Sequence, residues 1–252
     1  MSLGRIRAVV RKELRDYRRN RFTITTTAVM PLVFLVSPTV TLLRISAPAN
    51  AALVHRSVGV TSLLLLVVPA VIPPIIAAYS VIGERDQGTL EPCLTTPIRR
   101  EELLLGKAAA AFLPSVTVAY AIYAVFALVV RAGAARAVSA AVLHAPQVLA
   151  QVLFTPLIAV WAIWVGIAMS VRARDVRVAQ QLATLASLPA LGVVALISFR
   201  VLAPSVPLAV GLALALLAVD LAAWRLVSRM FDRERLITGA PANRHASRTP
   251  PR

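Results

Sequence analysis

Apolar residues are gathered into six long stretches that alternate with polar segments rich in arginine. A helix of about 20 residues crosses the roughly 30 Å of hydrocarbon in a bilayer, and each stretch is long enough to do so. The stretches run approximately over residues 22–43, 58–82, 108–130, 145–171, 179–199 and 205–223. The pattern therefore predicts an all-α membrane protein whose transmembrane domain, residues 22–223, has six transmembrane helices.

The residues before the first apolar stretch follow a different pattern. An apolar stripe repeats with helical spacing, while the remaining positions are mostly charged. The stripe consists of Leu3, Ile6, Val10, Leu14 and Tyr17. We expect residues 1–21 to form an amphipathic interfacial helix on the cytoplasmic leaflet of the lipid bilayer, with its arginines near anionic headgroups. A soluble helix that packs on a partner subunit is the alternative, and both roles can hold together.

The distribution of Lys and Arg residues predicts how the helices are oriented in the membrane. Of the 27 Lys and Arg residues, eight precede the first stretch, four lie in the second connection, three in the fourth and seven in the tail, so 22 lie on one side. Cytoplasmic segments retain such an excess, so we expect both termini in the cytoplasm of a bacterial inner membrane. The same asymmetry accounts for the net charge of +16 without nucleic-acid binding. The tail, residues 224–252, is expected to be disordered from residue 239, where Pro, Arg, Ala and Ser dominate.

Candidate chemistry is sparse. Gly106-Lys107 is not part of a phosphate-binding loop, because no glycine lies five residues earlier and Ala108 follows. The three histidines lack the spacing of metal ligands, and the single cysteine, Cys93, allows no intramolecular disulfide. We therefore expect no catalytic residue, no metal site and no cofactor on this chain.

Asp220 is the one ionisable residue that falls inside a predicted span, and such residues are functional candidates by default. It lies near the predicted cytoplasmic end of the sixth span, which favours interfacial anchoring over substrate or proton handling. Gln147 and Gln151 share one face of the fourth span and are weaker pathway candidates, with hydrogen bonding between helices as the favoured role. An ion-coupled carrier usually needs more carboxylates within the membrane, but such a carrier, or a membrane scaffold, stays the alternative function.

The second connection, residues 84–107, is the most informative segment. It holds five of the 11 acidic residues, interspersed with arginine. We predict a short helix from about Thr89 to Leu94, a break at Pro97, and a second helix that runs into the third span. Its mixed charge and apolar Leu90 suit the docking of a soluble partner, and a solvated loop is the alternative.

Several motifs occur here in a fixed order. They are Glu84-Arg85-x-x-Gly88-Thr89-Leu90-Glu91, Leu94-x-x-x-Ile98-Arg99-Arg100 and Glu102-Leu103-x-x-Gly106-Lys107. With these motifs the chain resembles the ABC-2 type permease family, the membrane subunits of one large class of ABC transporters. Residues 12–31, 166–189 and 231–234 are also similar to segments of that family.

The resemblance implies a division of labour. The chain would bind a separate nucleotide-binding ATPase subunit, which holds ATP and Mg, and would pair with a second permease copy or paralogue to form the translocation path. A coupling helix would follow the second span and contact the ATPase. The matching residues are Glu84, Arg85, Asp86, Gly88, Thr89, Leu90, Glu91 and Leu94. The implied function is that of the permease subunit of an ATP-driven exporter.

Overall fold

The computed structural model describes residues 2–45, 50–86, 98–173, 175–198 and 206–230, which form helices and short connections without a strand. The helices are α1 (Leu3–Arg19), α2 (Arg21–Leu43), α3 (Ala51–Asp86), α4 (Arg100–Gly133), α5 (Arg136–Val142), α6 (Ala145–Arg172), α7 (Val176–Ser198) and α8 (Val206–Met230). Each predicted apolar stretch coincides with one of the long helices. The all-helical prediction is therefore confirmed for the part of the chain that the structure describes.

Within the described ranges, four helices are long and apolar enough to cross a membrane. The crossing portions are Ala51–Ser80 of α3, Arg100–Gly133 of α4, Ala145–Val171 of α6 and Pro207–Met230 of α8. α2 adds a shorter apolar stretch, Val29–Leu43, and α7 has 23 residues. The multi-pass character of the chain is confirmed, and the count of six spans stays a prediction.

α4 begins well before the apolar stretch that it contains. Its first turn carries Glu101 and Glu102, and negative charge is favoured there because the first backbone N–H groups of a helix point outward. The carboxylate of Glu102 accepts the backbone N–H of Arg99 at 3.1 Å, which caps the helix. α4 is thus the predicted second helix that runs into the third span. The short α5, which follows it, was not predicted.

α3 lies at the centre of the bundle, where it contacts α2, α4, α5, α6 and α7. Its closest packing is against α6 at Gly166, where a Cβ atom would lie 3.1 Å from the Cα atom of Pro74. Three prolines, Pro69, Pro73 and Pro74, lie inside α3 and remove backbone donors from its middle. A helix weakened in this way bends more easily than a regular one.

α4 and α8 form the outside of the bundle. Many of their apolar side chains are exposed on the surface of the chain, among them Leu128, which is 66% exposed, and Leu226, which is 61% exposed. Contiguous apolar surface of this extent suits lipid or another membrane helix rather than water. The outer helices therefore support the membrane assignment independently of their length.

α1 confirms the helix predicted at the N-terminus, and its packed face includes most of the apolar stripe. The buried residues of α1 are Val9 and Glu13, whereas Leu3 is 83% exposed. The buried residues are flanked on the same face by half-buried stripe residues, namely Ile6, Val10, Leu14 and Tyr17. The packed face of α1 therefore also carries a carboxylate, and the physical reason is the ion pairing described below. The location of α1 on a leaflet stays a prediction.

Candidate functional site

Four charged side chains meet where α1, α3 and α4 come together. The Nζ atom of Lys107 lies 2.7 Å from Oε1 of Glu13 and 2.8 Å from Oε2 of Glu84. It also donates to the backbone carbonyl of Ser80 at 2.7 Å. Lys12 pairs with Glu84 from the other side and lies 3.5 Å from Glu13. We call Lys12, Glu13, Glu84 and Lys107 the ion cluster.

Most of the ion cluster is shielded from solvent. The side chain of Lys107 is 0% exposed, whereas Lys12 is 44% exposed. An isolated buried charge is costly, but here two ammonium groups balance two carboxylates. Lys107 donates hydrogen bonds to Glu13 and to the carbonyl of Ser80, and its contact with Glu84 is an ion pair. Asp16 lies at the outer edge of the ion cluster, 3.7 Å from Lys12. The inner cation is therefore paired with two carboxylates.

Glu84 stays ionised in this environment. Burial alone raises the pKa of its carboxyl group, but the ammonium groups of Lys107 and Lys12 outweigh burial. The pKa is consequently held below its ordinary value of 4.5. The negative charge that Lys107 requires is therefore present at neutral pH.

A glycine allows the two helices to approach closely enough for these pairs. A Cβ atom at Gly106 would lie 2.5 Å from Cγ1 and 2.6 Å from Cβ of Val9, so only hydrogen fits at this position of α4. Gly106 precedes Lys107, and Val9 lies one helical turn before Glu13. The close contact between Gly106 and Val9 thus sets the distance across which Glu13 and Lys107 pair.

A second polar contact fixes the start of α1. The buried carboxylate of Glu102 accepts the backbone N–H of Ser2 at 2.6 Å, and Arg5 approaches it at 3.5 Å. The same carboxylate caps α4 through Arg99. α1 is therefore attached to α4 at two places, Glu102 and Lys107.

A cavity of about 720 Å³ borders the ion cluster. α1 contributes charged residues to it, including Lys12 and Asp16, whereas α3 and α4 contribute Ile76, Tyr79 and Ala110. The cavity leaves the Lys12 side of the ion cluster accessible, while the Lys107 side is closed by packing.

The predicted coupling residues are only partly within the described structure. Glu84 lies in the last turn of α3, where its carboxylate binds inside the chain rather than pointing to a partner. Arg85 and Asp86 end α3, and their side chains are outside the described residues. Gly88, Thr89, Leu90, Glu91 and Leu94, which include the predicted coupling helix, are also outside the described residues, as is the tail from residue 231. Docking of an ATPase at this segment stays a prediction.

The polar candidates within the spans do not belong to the ion cluster. Asp220 is 2% exposed, and both of its carboxylate oxygens lack a hydrogen-bond partner among the described residues. It lies one turn before Trp224, whose ring centroid is 5.0 Å from that of Trp164 on α6. Gln151 is buried in α6, and Gln147 is half-buried at the start of that helix.

Lys107 and Glu13 are the functional candidates that the sequence analysis missed. It assigned Lys107 to a cytoplasmic connection, whereas the structure has Lys107 inside α4 and fully buried. One signal was available: Lys12 and Lys107 are the only lysines among 27 basic residues, and both belong to the ion cluster. An ammonium is a compact charge with three donors, and it fits a small buried site that a planar guanidinium does not.

A model of one protein family matches residues 7–202, and the family is described as ABC-2 family transporter protein. The matched range includes the whole ion cluster and the segment that follows α3. No curated protein matches the chain.

Proposed function

Since the chain belongs to the ABC-2 family of transporter proteins, as its motifs predict, we propose that it is the permease subunit of an ATP-driven exporter. Family membership and the apolar helices already make it a multi-pass transport protein of the permease type. In the proposed complex this chain forms the translocation path with a second permease copy or paralogue. A separate ATPase subunit binds ATP and Mg and couples hydrolysis to transport.

The family match carries this proposal, and the ion cluster at the end of α3 supports its mechanism. The segment proposed to dock the ATPase, residues 84–107, begins at Glu84 and ends at Lys107 within α4. Because Glu84 is paired to Lys107 and Lys12, a displacement of that segment moves α1, α3 and α4 together. Without the ion pairs, the same displacement would be absorbed by local bending at the end of α3.

The prolines of α3 supply the second part of the proposed mechanism. Pro69, Pro73 and Pro74 lie about three to four turns before Glu84, where missing backbone hydrogen bonds make α3 easier to bend. The end of α3 that carries Glu84 therefore moves with α1 and α4, while the rest of α3 keeps its packing on α6. A bend at the prolines changes the angle between these two groups of helices, which is the movement that alternating access requires.

The proposed topology has six spans, with both termini in the cytoplasm of a bacterial inner membrane and α1 on the cytoplasmic leaflet. The alternation of basic residues supports it. So does the structure, because the end of α3, the start of α4 and α1 lie at one end of the bundle.

Labelling with a membrane-impermeant maleimide tests this topology. The single native cysteine, Cys93, is expected to react in inverted membrane vesicles and not in right-side-out vesicles, because it lies in the second connection. In a Cys93→Ser background, Arg136→Cys is expected to show the reverse pattern, since Arg136 is exposed between α4 and α6. Reaction of both cysteines from the same side would rule out the proposed orientation.

An ATPase assay tests the proposed division of labour. The purified chain is expected to hydrolyse no ATP, and activity is expected when the nucleotide-binding subunit encoded in the same genome is co-purified with it. A variant of that subunit without its phosphate-binding lysine serves as the control and should leave the complex assembled but inactive. Hydrolysis by this chain alone, or failure of every nucleotide-binding subunit to associate with it, would count against the proposal.

Asp220 favours one alternative function, an ion-coupled carrier. Its buried carboxylate has no hydrogen-bond partner among the described residues, which is the arrangement expected of a group that binds a proton or a cation during transport. Uptake or efflux by the chain alone, driven by a proton gradient and abolished by Asp220→Asn, would support the carrier. We favour the exporter because the family model matches most of the chain.

A further inference from the structure

A groove of about 570 Å³ lies between the start of α4 and the end of α8. It is lined by Arg99, Arg100, Glu101, Ser228 and Arg229. Arg100 joins the two helices here, because its Nη1 atom donates to the backbone carbonyl of Ser228 at 3.4 Å. The two helices otherwise contact each other little, so the groove separates them at this end.

The groove is suited to an anion. Its described lining presents three guanidinium groups and one carboxylate, an excess of two positive charges among these residues. Arg99 and Arg229 are exposed on the two sides of the groove, so their guanidinium groups are accessible to a ligand. A guanidinium binds phosphate through two parallel N–H groups, which makes it the preferred residue for this ligand.

The surroundings of the groove favour a lipid over a soluble phosphate. Both helices cross the membrane in the portions that adjoin the groove. Leu226, one turn from Arg229 along α8, is exposed on the outside, and so is Val219, about two turns further along the same face. An acyl chain can lie along this apolar surface while its headgroup stays between the arginines, whereas a soluble phosphate would use the arginines alone.

We propose that this groove binds the phosphate of an anionic phospholipid, which fills the gap between α4 and α8. Basic pockets between membrane helices on the cytoplasmic side bind anionic headgroups in this way. The proposal requires α4 and α8 to cross the bilayer but does not require an ATPase partner.

Native mass spectrometry of the full-length protein tests the proposal. The protein is released from nanodiscs that contain equal amounts of phosphatidylglycerol and phosphatidylcholine, and the bound lipids are compared. The wild-type protein is expected to retain phosphatidylglycerol preferentially. The double variant Arg99→Gln, Arg229→Gln leaves Arg100 and its bond to Ser228 intact. Its preference is expected to fall roughly 25-fold, or about fivefold for each guanidinium removed.

The matched control removes the same charge elsewhere. Arg131→Gln with Arg136→Gln replaces two exposed arginines at the opposite end of α4, one in its last turn and one just after it, and the lipid preference of this variant is expected to equal that of the wild type. An equal loss in both double variants, or no loss in the groove variant, overturns the proposal. Displacement of the lipid by inorganic phosphate overturns it in favour of a soluble anion. Because no ATPase is involved, failure of the exporter proposal does not affect this result.

Discussion

Replacing Lys107 with Met is expected to lower the free energy of unfolding by about 3–5 kcal/mol, the cost of removing one partner from a buried ion pair. Glu13 and Glu84 would then lie close together, with the half-exposed Lys12 as the ammonium group that contacts both. The apolar Met side chain fills the space but leaves the backbone carbonyl of Ser80 without its donor. The loss is expected near the lower end of this range, because Lys12 still neutralises one carboxylate.

The measurement is the melting temperature of the purified protein, followed by tryptophan fluorescence. Lys12→Met removes the exposed ammonium of the same ion cluster and is expected to cost no more than about 1 kcal/mol. Adding Glu13→Gln to Lys107→Met leaves a single carboxylate paired with Lys12, and this double variant should regain much of the lost stability. A Lys107→Met protein that melts at the wild-type temperature would show that the ion cluster does not hold α1, α3 and α4 together.

Gly106→Ala is expected to separate α1 from α4 and to lower the free energy of unfolding by about 1–3 kcal/mol, because the added methyl group overpacks the contact. The new Cβ atom would meet Cγ1 of Val9 at 2.5 Å and Cβ of Val9 at 2.6 Å, distances that require one helix to move. Any such movement increases the distance between Glu13 and Lys107, so the loss of this ion pair destabilises the protein further.

Limited trypsin digestion measures this separation, because α1 carries many arginines and a displaced α1 exposes more of them. Adding Val9→Gly should restore the wild-type pattern, since both clashing atoms belong to the Val9 side chain. Gly211→Ala on α8 is the control, because nothing lies within 4 Å of the added methyl group. Equal protection of α1 in Gly106→Ala and Gly211→Ala would show that Gly106 does not control the approach.

The positions of the long helices followed from the sequence because a bilayer imposes a simple rule on length and polarity. A run of about 20 apolar residues has few alternatives to a helix in lipid, because every backbone polar group must find its hydrogen-bond partner within the protein. α4 also started near the predicted break at Pro97. The extension of α4 before its apolar stretch followed from the predicted break at Pro97. The extension of α3 beyond its apolar stretch was not predicted, because it depends on polar contacts and ion pairs rather than on hydropathy.

The ion cluster could not be predicted in the same way. Lys107 and Glu13 are 94 positions apart, and Lys12 and Glu84 are 72 apart, so no local period relates them. α1 shows the limit of periodicity most clearly, since its apolar stripe located the packed face but gave no sign that the charged Glu13 is buried on it. The buried face contains Glu13, whose burial is favourable only because Lys107 reaches it from a different helix.

Protection of Cys93 by the ATPase subunit tests the central claim most directly, because this cysteine lies within the segment proposed to dock that subunit. In detergent, a bulky maleimide is expected to react rapidly with Cys93 in the chain alone and much more slowly in the complex with the ATPase. In a Cys93→Ser background, Arg136→Cys should react at the same rate in both samples. Equal reactivity of Cys93 in the chain alone and in the assembled complex would contradict docking at residues 84–107.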